Sequence, residues 1–326
     1  MHGLVLHHPY VTPRFEQDLL AQVAKRPGFV VAPAILEALD AGVLASPGGA
    51  VALEAFDAVI VFVAFRRLNA AKTLDWRGYR GLRVLMDHDV IQNYSAIFDR
   101  TLQGAWPPAF RRHGFDSVVA SGRAVTARLE ADGVPADWVP KGFEPARFAP
   151  RAGRRAGVAS YGSAYACRQV AERALKEAGV KVTRLPPTPY PKLGAKLSGF
   201  LACMAVSSEL CAADEGAPAR DAPMTPGLEP MAKFFESAGA GVCPVADAME
   251  DLDALGFRDG ESVLTFRTHG ELVDKLAAAL ADPKRLRALG EAAAARAHAG
   301  HTWAHRAAAL QAAIERRAAL RGSPAT

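Results

Sequence analysis

Short runs of β-forming apolar residues recur along this chain and constrain its fold more than any other feature. The run VIVFV at residues 59–63 is apolar throughout, whereas a strand with one wet face would alternate apolar and polar side chains. Continuous runs are typical of strands buried on both faces, as in a parallel sheet covered by helices. Six such runs predict strands in the first half of the chain, at residues 3–8, 29–32, 57–65, 82–89, 116–121 and 136–139.

The same pattern restarts after a segment rich in Pro, Arg and Gly at residues 145–157, which we interpret as a linker. The second set of predicted strands covers residues 157–161, 180–185, 200–206, 241–245 and 263–266. Predicted helices cover residues 168–178, 230–238, 271–281 and 302–320, and a further helix begins at Pro283 and ends near Gly300. A length of 326 residues favours about two domains. We therefore predict an α/β chain of two doubly wound, Rossmann-like domains, divided into residues 1–145, 146–300 and a C-terminal helix and tail at 301–326.

Composition narrows the class of protein further. Half of the residues are hydrophobic and 22% are charged, which excludes a disordered or collagen-like chain. A net charge of +5 permits an anionic partner. The four cysteines show no C-x-x-C spacing, and the sequence has no signal-peptide pattern and no apolar run of about 18 residues, so we expect a cytoplasmic protein without an integral membrane segment.

Common cofactor motifs do not occur. There is no G-x-G-x-x-G after a predicted strand and no P-loop, which disfavours dinucleotide-dependent dehydrogenases and P-loop NTPases. His301 and His305 have a spacing that could face a metal, but no third ligand accompanies them. We therefore expect neither a metal nor a cofactor.

The most informative segment runs from residue 224 to 245. At about 100° per residue, Glu229, Lys233 and Glu236 fall on one side of the predicted helix. The preceding loop, Thr225-Pro-Gly227-Leu228, leads to a helix N-terminus that offers free N–H donors to a phosphate. Lys233 would add a cation, and Glu236 could accept hydrogen bonds from a ribose. The alternative is a solvated helix face with an i, i+4 pair between Glu229 and Lys233.

Several blocks of this region resemble known proteins in order and in spacing. They are Lys233-Phe-Phe-Glu-Ser-Ala-Gly-Ala-Gly-Val-Cys-Pro-Val, Leu255-Gly-Phe-Arg-Asp-Gly-Glu-Ser-Val, Ala281-Asp-Pro and His301-Thr-Trp-Ala-His-Arg306. Together they resemble the C-terminal half of group 1 glycosyltransferases of the GT-B fold, in particular the spore-maturation-protein-like (CgeB-like) branch. Upstream, Val139-Pro-Lys-Gly-Phe-Glu-Pro-Ala-Arg-Phe-Ala-Pro150 is similar to the joint between the two domains of these enzymes, and Val158-Ala-Ser-Tyr-Gly-Ser163 to the strand and turn that open their donor domain.

The resemblance implies two domains that face each other across a cleft, with the C-terminal helix packing back toward the N-terminal domain. The N-terminal domain would be the acceptor side, and the C-terminal domain would bind a nucleoside-diphosphate sugar without a metal ion. Glu236 matches the glutamate that holds the donor ribose, and Lys233 stands near the diphosphate. Retaining members carry two glutamates eight positions apart, whereas Glu229 and Glu236 are seven apart and position 228 is Leu. The role of Glu229 and the expected retention of configuration are therefore open.

Three further groups extend the predicted site. The turn at Gly162 and the nearby Arg168 could reach the donor phosphates. In the N-terminal domain, Asp87, His88 and Asp89 follow a predicted strand, and His88 matches the His-Asp of group 1 enzymes. We predict catalytic roles for them on the acceptor hydroxyl or the anomeric carbon, although a helix cap and a turn are an equal alternative. We also predict that His7 and His8, at the end of the first predicted strand, lie on the acceptor side.

The acceptor itself is not identified by any motif. A glycan, a protein or a modified nucleic acid would each suit a glycosyltransferase acceptor. Two other functions stay open, namely a catalytically idle GT-B protein that binds a nucleotide or a polyanion, and a sugar-nucleotide epimerase. Trp303 and Arg306 are predicted to be structural, with Trp303 anchoring the last helix.

Overall fold

The computed structural model describes residues 1–7, 14–33, 45–46, 49–50, 52–76, 78–95, 100–153, 155–208 and 220–322. The chain forms two compact units. The first contains Met1–Tyr94, Asp99–Pro140 and Trp303–Thr326, and the second contains Ser95–Phe98 and Lys141–Thr302. The C-terminal segment from Trp303 therefore belongs to the first unit rather than forming a part of its own.

The first unit is built on a six-stranded parallel sheet. Its strands are β1 (Gly3–His7), β2 (Phe29–Pro33), β5 (Ala58–Phe62), β6 (Leu82–Met86), β7 (Ser117–Ala120) and β8 (Ala136–Trp138). They lie in the order β2-β1-β5-β6-β7-β8. All five residues of β5 are buried, as the unbroken apolar run predicts for a central strand. The six predicted strands are confirmed. A two-stranded antiparallel pair, β3 (Ala45–Ser46) and β4 (Gly49–Ala50), was not predicted.

Helices cover this sheet and complete its core. They are α1 (Arg14–Val23), α2 (Phe65–Ala70), α3 (Trp106–His113), α4 (Arg123–Ala131) and the final helix, α11 (Trp303–Gly322). Helix α11 packs on α1 and β6, and its buried residues Trp303, Ala307, Leu310 and Ile314 recur every three or four positions along one face. The predicted packing of the C-terminal helix on the N-terminal domain is confirmed, and Trp303 anchors it with no exposed surface.

Replacing Trp303 with alanine is expected to destabilise the first unit by about 3–5 kcal/mol, the usual cost of removing a buried tryptophan. The side chain lies in the core with Val5, Phe62 and Leu310, so its removal leaves a cavity. Chemical denaturation followed by circular dichroism measures the change. The control is His305→Ala, which changes an exposed residue of the same helix. Equal stability of the two variants would contradict the anchoring role of Trp303.

The second unit has a five-stranded parallel sheet. Its strands are β9 (Val158–Ser160), β10 (Val182–Arg184), β11 (Ala202–Met204), β12 (Cys243–Asp247) and β13 (Leu264–Phe266), in the order β10-β9-β11-β12-β13. The helices are α5 (Ala166–Glu177), α6 (Tyr190–Leu197), α7 (Ala232–Gly239), α8 (Glu250–Ala254), α9 (His269–Ala281) and α10 (Pro283–Gly300). The predicted fold class, two parallel-sheet α/β units, is confirmed.

Helix ends in the second unit follow local sequence signals. Thr268 caps α9, because its hydroxyl accepts from the Glu271 N–H at 3.0 Å while the Glu271 carboxylate accepts from the Arg267 N–H at 2.7 Å. Asp282 caps α10 in the same way, through the Arg285 N–H at 3.0 Å, and Pro283 occupies the first helical position as predicted.

The described residues of the segment at 145–157, interpreted above as a linker, belong to the second unit, and two of them are anchored in it. Phe148 has no exposed surface and Arg155 is buried, with its guanidinium donating to the Gly241 carbonyl. The change of unit falls earlier, between Pro140 and Lys141. Composition misled here because one buried aromatic residue and one buried guanidinium fix a segment that is otherwise rich in turn formers. No helix among the described residues is long and apolar enough to cross a membrane.

Candidate functional site

The predicted donor residues come together at the carboxyl edge of the second sheet. Because all five strands are parallel, the loops that follow β9, β11 and β12 leave the sheet at one edge, where ligands of doubly wound folds bind. Helix α7 lies at the same edge, because Lys233 on its first turn donates a hydrogen bond to the carbonyl of Tyr161, the residue after β9. The site is thus made of three loops and one helix.

Asp247, the last residue of β12, holds two parts of the connection between β11 and α7. Its carboxylate accepts from the backbone N–H of Ser207 at 2.8 Å and from that of Gly227 at 2.5 Å. Burial raises the pKa of Asp247 above its usual value. The hydrogen bonds that the carboxylate accepts from backbone N–H groups act in the opposite direction and lower this pKa. Asp247 is not among the predicted site residues, although an acidic residue near the carboxyl end of a predicted strand is a signal that could have identified it.

Lys233 is the buried cation of the site. Its side chain is 7% exposed, its ammonium donates to the Tyr161 carbonyl at 2.6 Å, and it lies 5.0 Å from the centre of the Tyr161 ring. Burial, reinforced by Arg168, lowers the pKa of Lys233 from 10.5 to about 7. A Cβ built on Gly162 would stand 3.6 Å from the Lys233 Nζ, and Gly162 has φ +78°. The exposed Gly162 turn therefore places open backbone directly beside this ammonium.

Glu236 lies one turn further along α7. It is 4% exposed, and its Oε2 accepts from the Tyr161 hydroxyl at 2.5 Å. Burial, together with the Glu236 charge, raises the pKa of Tyr161 well above its usual value, so this hydroxyl keeps its proton and donates it. The structure thus brings Lys233, Glu236 and Gly162 together, with Tyr161 between them. Tyr161 is not among the site residues predicted from the sequence.

Arg168 is buried near the start of α5 and serves backbone carbonyls. Its Nε donates to the Val206 carbonyl at 3.0 Å and its Nη1 to the Ser163 carbonyl at 2.8 Å, while its guanidinium lies 4.8 Å from the Tyr165 ring centre. These bonds tie the loop after β9 to the loop after β11. Burial lowers the pKa of Arg168. Contact between Arg168 and a donor phosphate stays a prediction.

Helix α7 differs from its predicted form in two ways. It begins at Ala232, so Pro230 lies before the helix and not in its first turn. Glu229, Lys233 and Glu236 are all buried, so the alternative of a solvated face is wrong. The suggested i, i+4 pair is also wrong, because Glu229 pairs with the ammonium of Lys141 rather than with Lys233. The ionic partner of Glu229 is therefore Lys141, which is distant in the sequence, and not the helical neighbour Lys233.

The loop before α7 contains the other predicted donor residues. Gly227 is required by space, since a Cβ there would lie 2.5 Å from the Ser207 carbonyl oxygen. Leu228 is half-buried and Thr225 is exposed. Glu229 has no exposed surface. The loop therefore presents Thr225 to solvent and places Gly227 against Ser207, which follows β11 in the same connection.

In the first unit, His88 is held within the core. It is 1% exposed, and its Nδ1 lies 3.1 Å from the Glu16 Oε1. Its ring stacks on Trp303 with centroids 5.7 Å apart and meets the edge of Phe62 at 5.3 Å. Aromatic packing thus accounts for the position of His88 in this structure, and its catalytic role stays a prediction.

The neighbours of His88 form a turn. Asp87 is buried, and its Oδ1 accepts from the Asp89 N–H at 2.8 Å, as in the turn-forming alternative. Asp89 is partly exposed and precedes a 3₁₀ turn at Val90–Asn93. His7 ends β1 and is partly exposed, whereas His8 lies outside the described residues. The acceptor-side roles of these residues stay predictions.

The histidine pair considered for a metal has other uses. The His301 Nε2 lies 3.0 Å from the Leu255 carbonyl oxygen, and its ring packs against Phe235 and Phe257. His305 is exposed on α11. Within the ranges that the structure describes, no group of three His, Cys, Asp or Glu residues is arranged to hold a metal ion.

Comparisons with known proteins extend this description. Residues 151–312 match the model of a glycosyl transferase-like family. No curated protein gives a significant sequence match. The fold is similar to that of sucrose-phosphate synthase from Thermosynechococcus elongatus, with a TM-score of 0.62, 14% identity, and 99% of this chain and 100% of that chain covered.

Two ligand complexes are also similar. Anabaena HepE, solved with UDP and glucose, gives a TM-score of 0.62 at 13% identity over 97% of this chain and 100% of that one. A TarM variant of S. aureus, solved with UDP among other ligands, gives a TM-score of 0.55 at 11% identity. The match covers 78% of this chain and 55% of that chain. The chain thus has two Rossmann-like units of the kind found in GT-B glycosyltransferases, and about half of its length matches a glycosyl transferase-like family.

Proposed function

We propose that this protein transfers a sugar from a nucleoside-diphosphate sugar that binds at the carboxyl edge of the second sheet. The observation that carries the proposal is the cluster of Lys233, Glu236 and the Gly162 turn. A buried cation, open backbone and a buried carboxylate follow one another along one short edge, in the order in which a diphosphate and a ribose would need them. The match of residues 151–312 to a glycosyl transferase-like family supports the same assignment.

The diphosphate would lie between Lys233 and the Gly162 turn. Near neutral pH a lysine with a pKa of about 7 is only partly charged, and an arriving phosphate anion favours its protonated form. The ammonium would then form a charge-assisted hydrogen bond in a site with little water. Gly162, lacking a side chain, allows the phosphate oxygens to approach the backbone.

The ribose would be held by Glu236. An ionised carboxylate has about four acceptor positions, so the bond from Tyr161 leaves capacity for two ribose hydroxyls. The Tyr161 bond also fixes the orientation of the carboxylate before the donor arrives, which reduces the entropy lost on binding. HepE binds UDP and UDP-glucose, and we therefore propose a UDP-hexose as the donor to test first.

The proposal extends to transfer without a metal ion and with retention of configuration. The positive charge of Lys233 supports transfer without a metal ion. The resemblance to group 1 enzymes supports retention of configuration. We propose that the acceptor hydroxyl reacts near His88 and Asp89, while the acceptor itself is left to experiment. The anomeric configuration of the product, measured by NMR, tests retention, and transfer in the presence of a chelator tests metal independence.

Glu236→Ala is expected to weaken binding of UDP by about ten- to a hundredfold, the equivalent of one charge-assisted hydrogen bond. Isothermal titration with UDP, GDP and ADP measures the affinity and identifies the base. Glu236→Gln, which preserves the shape of the side chain, keeps the test valid if the alanine variant is unstable.

The matched control is Glu177→Ala, since Glu177 is exposed on α5. Binding of UDP that is equally tight in the wild type, Glu236→Ala and Glu236→Gln would refute the site. A wild-type protein that binds none of the three nucleotides would refute the proposed function. Product analysis without an acceptor separates a transferase from an epimerase.

A further inference from the structure

A short segment of the second unit, residues 141–143, contacts the loop before helix α7 and the last residue of that helix. At one end, the Lys141 ammonium donates to the Oε1 of Glu229, three residues before the helix begins. At the other end, the Phe143 ring lies against Gly239, the last residue of the helix. We call residues 141–143 the strap. The strap begins where the chain enters the second unit, directly after Pro140.

The ion pair between Lys141 and Glu229 lies entirely inside the unit. The Lys141 side chain is 1% exposed and that of Glu229 is 0% exposed. Charges buried to this degree are tolerated only in close pairs, because each one alone would lose its hydration without compensation. Each partner therefore fixes the position of the other, and Glu229 is tied to a residue 88 positions away in the chain.

The contact at the other end of the helix is equally close. A Cβ added to Gly239 would lie 2.3 Å from the Phe143 ring, so only a glycine leaves room for it. Phe143 has no exposed surface, and its ring meets that of His298 edge-on at 5.0 Å. Phe143 also pairs with Thr302 in an isolated parallel bridge. The strap is thus fixed to α10 on one side and to α7 on the other.

We propose that Lys141 is a positioning residue for the donor site, acting through Glu229 to set the placement of helix α7 and hence of Lys233 and Glu236. This inference rests on the proposed function. It also assigns Glu229, whose spacing from Glu236 is one residue short of the group 1 pattern, an internal role as the counterion of Lys141. Removing Lys141 leaves a buried carboxylate without its cation, and the loop before α7 moves until Glu229 finds water or takes up a proton.

The test is a double-mutant cycle of Lys141→Met, Glu229→Gln and the combined variant. Lys141→Met is expected to weaken UDP binding by about tenfold, and to raise the KM for the donor more than it lowers kcat, since a displaced helix misplaces both Lys233 and Glu236. The combined variant, with neither charge, should lose less affinity than Lys141→Met alone. Lys284→Met, at an exposed position of α10, is the matched control.

A second readout needs no nucleotide. NMR of side-chain-labelled lysines follows the titration of Lys233, assigned by its absence from Lys233→Met. In the wild type the midpoint is expected near pH 7, and in Lys141→Met it should move upward as α7 shifts and exposes the ammonium to water. A loss of stability alone would leave this midpoint unchanged, provided that circular dichroism shows the variant to be folded.

The outcomes separate the two proposals. If the wild type binds no nucleotide, the proposed function fails, while the Lys233 midpoint still decides whether Lys141 positions α7. The inference is overturned if Lys141→Met matches Lys284→Met in UDP affinity and leaves the Lys233 midpoint unchanged. It is also overturned if the fold-loss of UDP affinity in the combined variant equals the product of the fold-losses in Lys141→Met and Glu229→Gln. Glu229 would then act on the donor independently of Lys141.

Discussion

Replacing Lys233 with methionine is expected to weaken binding of UDP by up to about a hundredfold, since one charge-assisted hydrogen bond to a phosphate contributes about 1.5–3 kcal/mol. Methionine retains most of the buried apolar stem, so packing around Tyr161 is preserved while the charge is lost. Isothermal titration at pH 6.5 measures the change. Lys176→Met, at an exposed position of α5, is the control and should bind as the wild type does.

The pH dependence of binding follows from the lowered pKa of Lys233, about 7 in the free protein. A bound diphosphate raises that pKa, so above pH 7 binding must take up a proton, and the affinity falls as the pH rises. Below pH 7 the lysine is already charged and contributes no slope. We expect this slope in the wild type and not in Lys233→Met. Parallel profiles for the two proteins would exclude Lys233 from contact with the diphosphate.

The same shift affects stability in the absence of donor. The unfolded chain keeps the Lys233 proton up to about pH 10.5, whereas the folded protein releases it near pH 7. Because the unfolded state binds more protons between these values, the free energy of unfolding should rise with pH in that interval. Subtracting the profile of Lys233→Met from that of the wild type isolates this contribution.

Asp247→Asn is expected to produce the second large effect, on binding and stability together. The carboxylate accepts from two backbone N–H groups, those of Ser207 and Gly227. An amide has one acceptor oxygen, and its NH₂ group would face one of these donors, leaving a buried N–H without a partner. Such a loss costs about 1–3 kcal/mol. Ser207 and Gly227 would move away from the end of β12, and UDP affinity should fall by more than about tenfold.

Denaturant titration and UDP binding, measured on the same samples, test this expectation. The control is Asp253→Asn, which makes the same chemical change at an exposed position of α8. A variant at Asp247 that keeps both the stability and the UDP affinity of the wild type would show that Ser207 and Gly227 are fixed by other contacts.

The sequence predicted the architecture well because its signals are local. Among the described residues, eleven apolar runs match the eleven strands of the two parallel sheets. Central strands such as β5 are buried on both faces and are visible in their own composition, whereas the edge strands β2 and β10 are partly exposed. Pro283 and Gly300 mark the ends of α10 because caps depend on one or two residues. The antiparallel pair β3 and β4 has only two residues per strand, too few to give a pattern.

The site was predicted less completely, for a physical reason. The predicted residues Lys233 and Glu236 lie on one helix, where spacing along the chain determines proximity. The residues that position them, Tyr161, Asp247 and Lys141, come from other parts of the chain, and only the folded structure brings them close. Nothing in the sequence near Glu229 indicates that its partner lies 88 positions away. Assignment to the spore-maturation-like branch stays a prediction.

The return of the chain to the first unit at Trp303 has a consequence for biosynthesis. Helix α11 supplies Trp303, Leu310 and Ile314 to the core beneath the first sheet, yet it is translated after the whole second unit. On that side of the six strands, the nascent chain therefore has α1, with Leu19, Leu20 and Val23, as cover but lacks α11 until residues 303–322 have been synthesised. Nascent chains that stop before residue 303 would present the part of this apolar layer that α11 covers to chaperones and to one another. The second unit, which is contiguous apart from one short segment, can fold earlier.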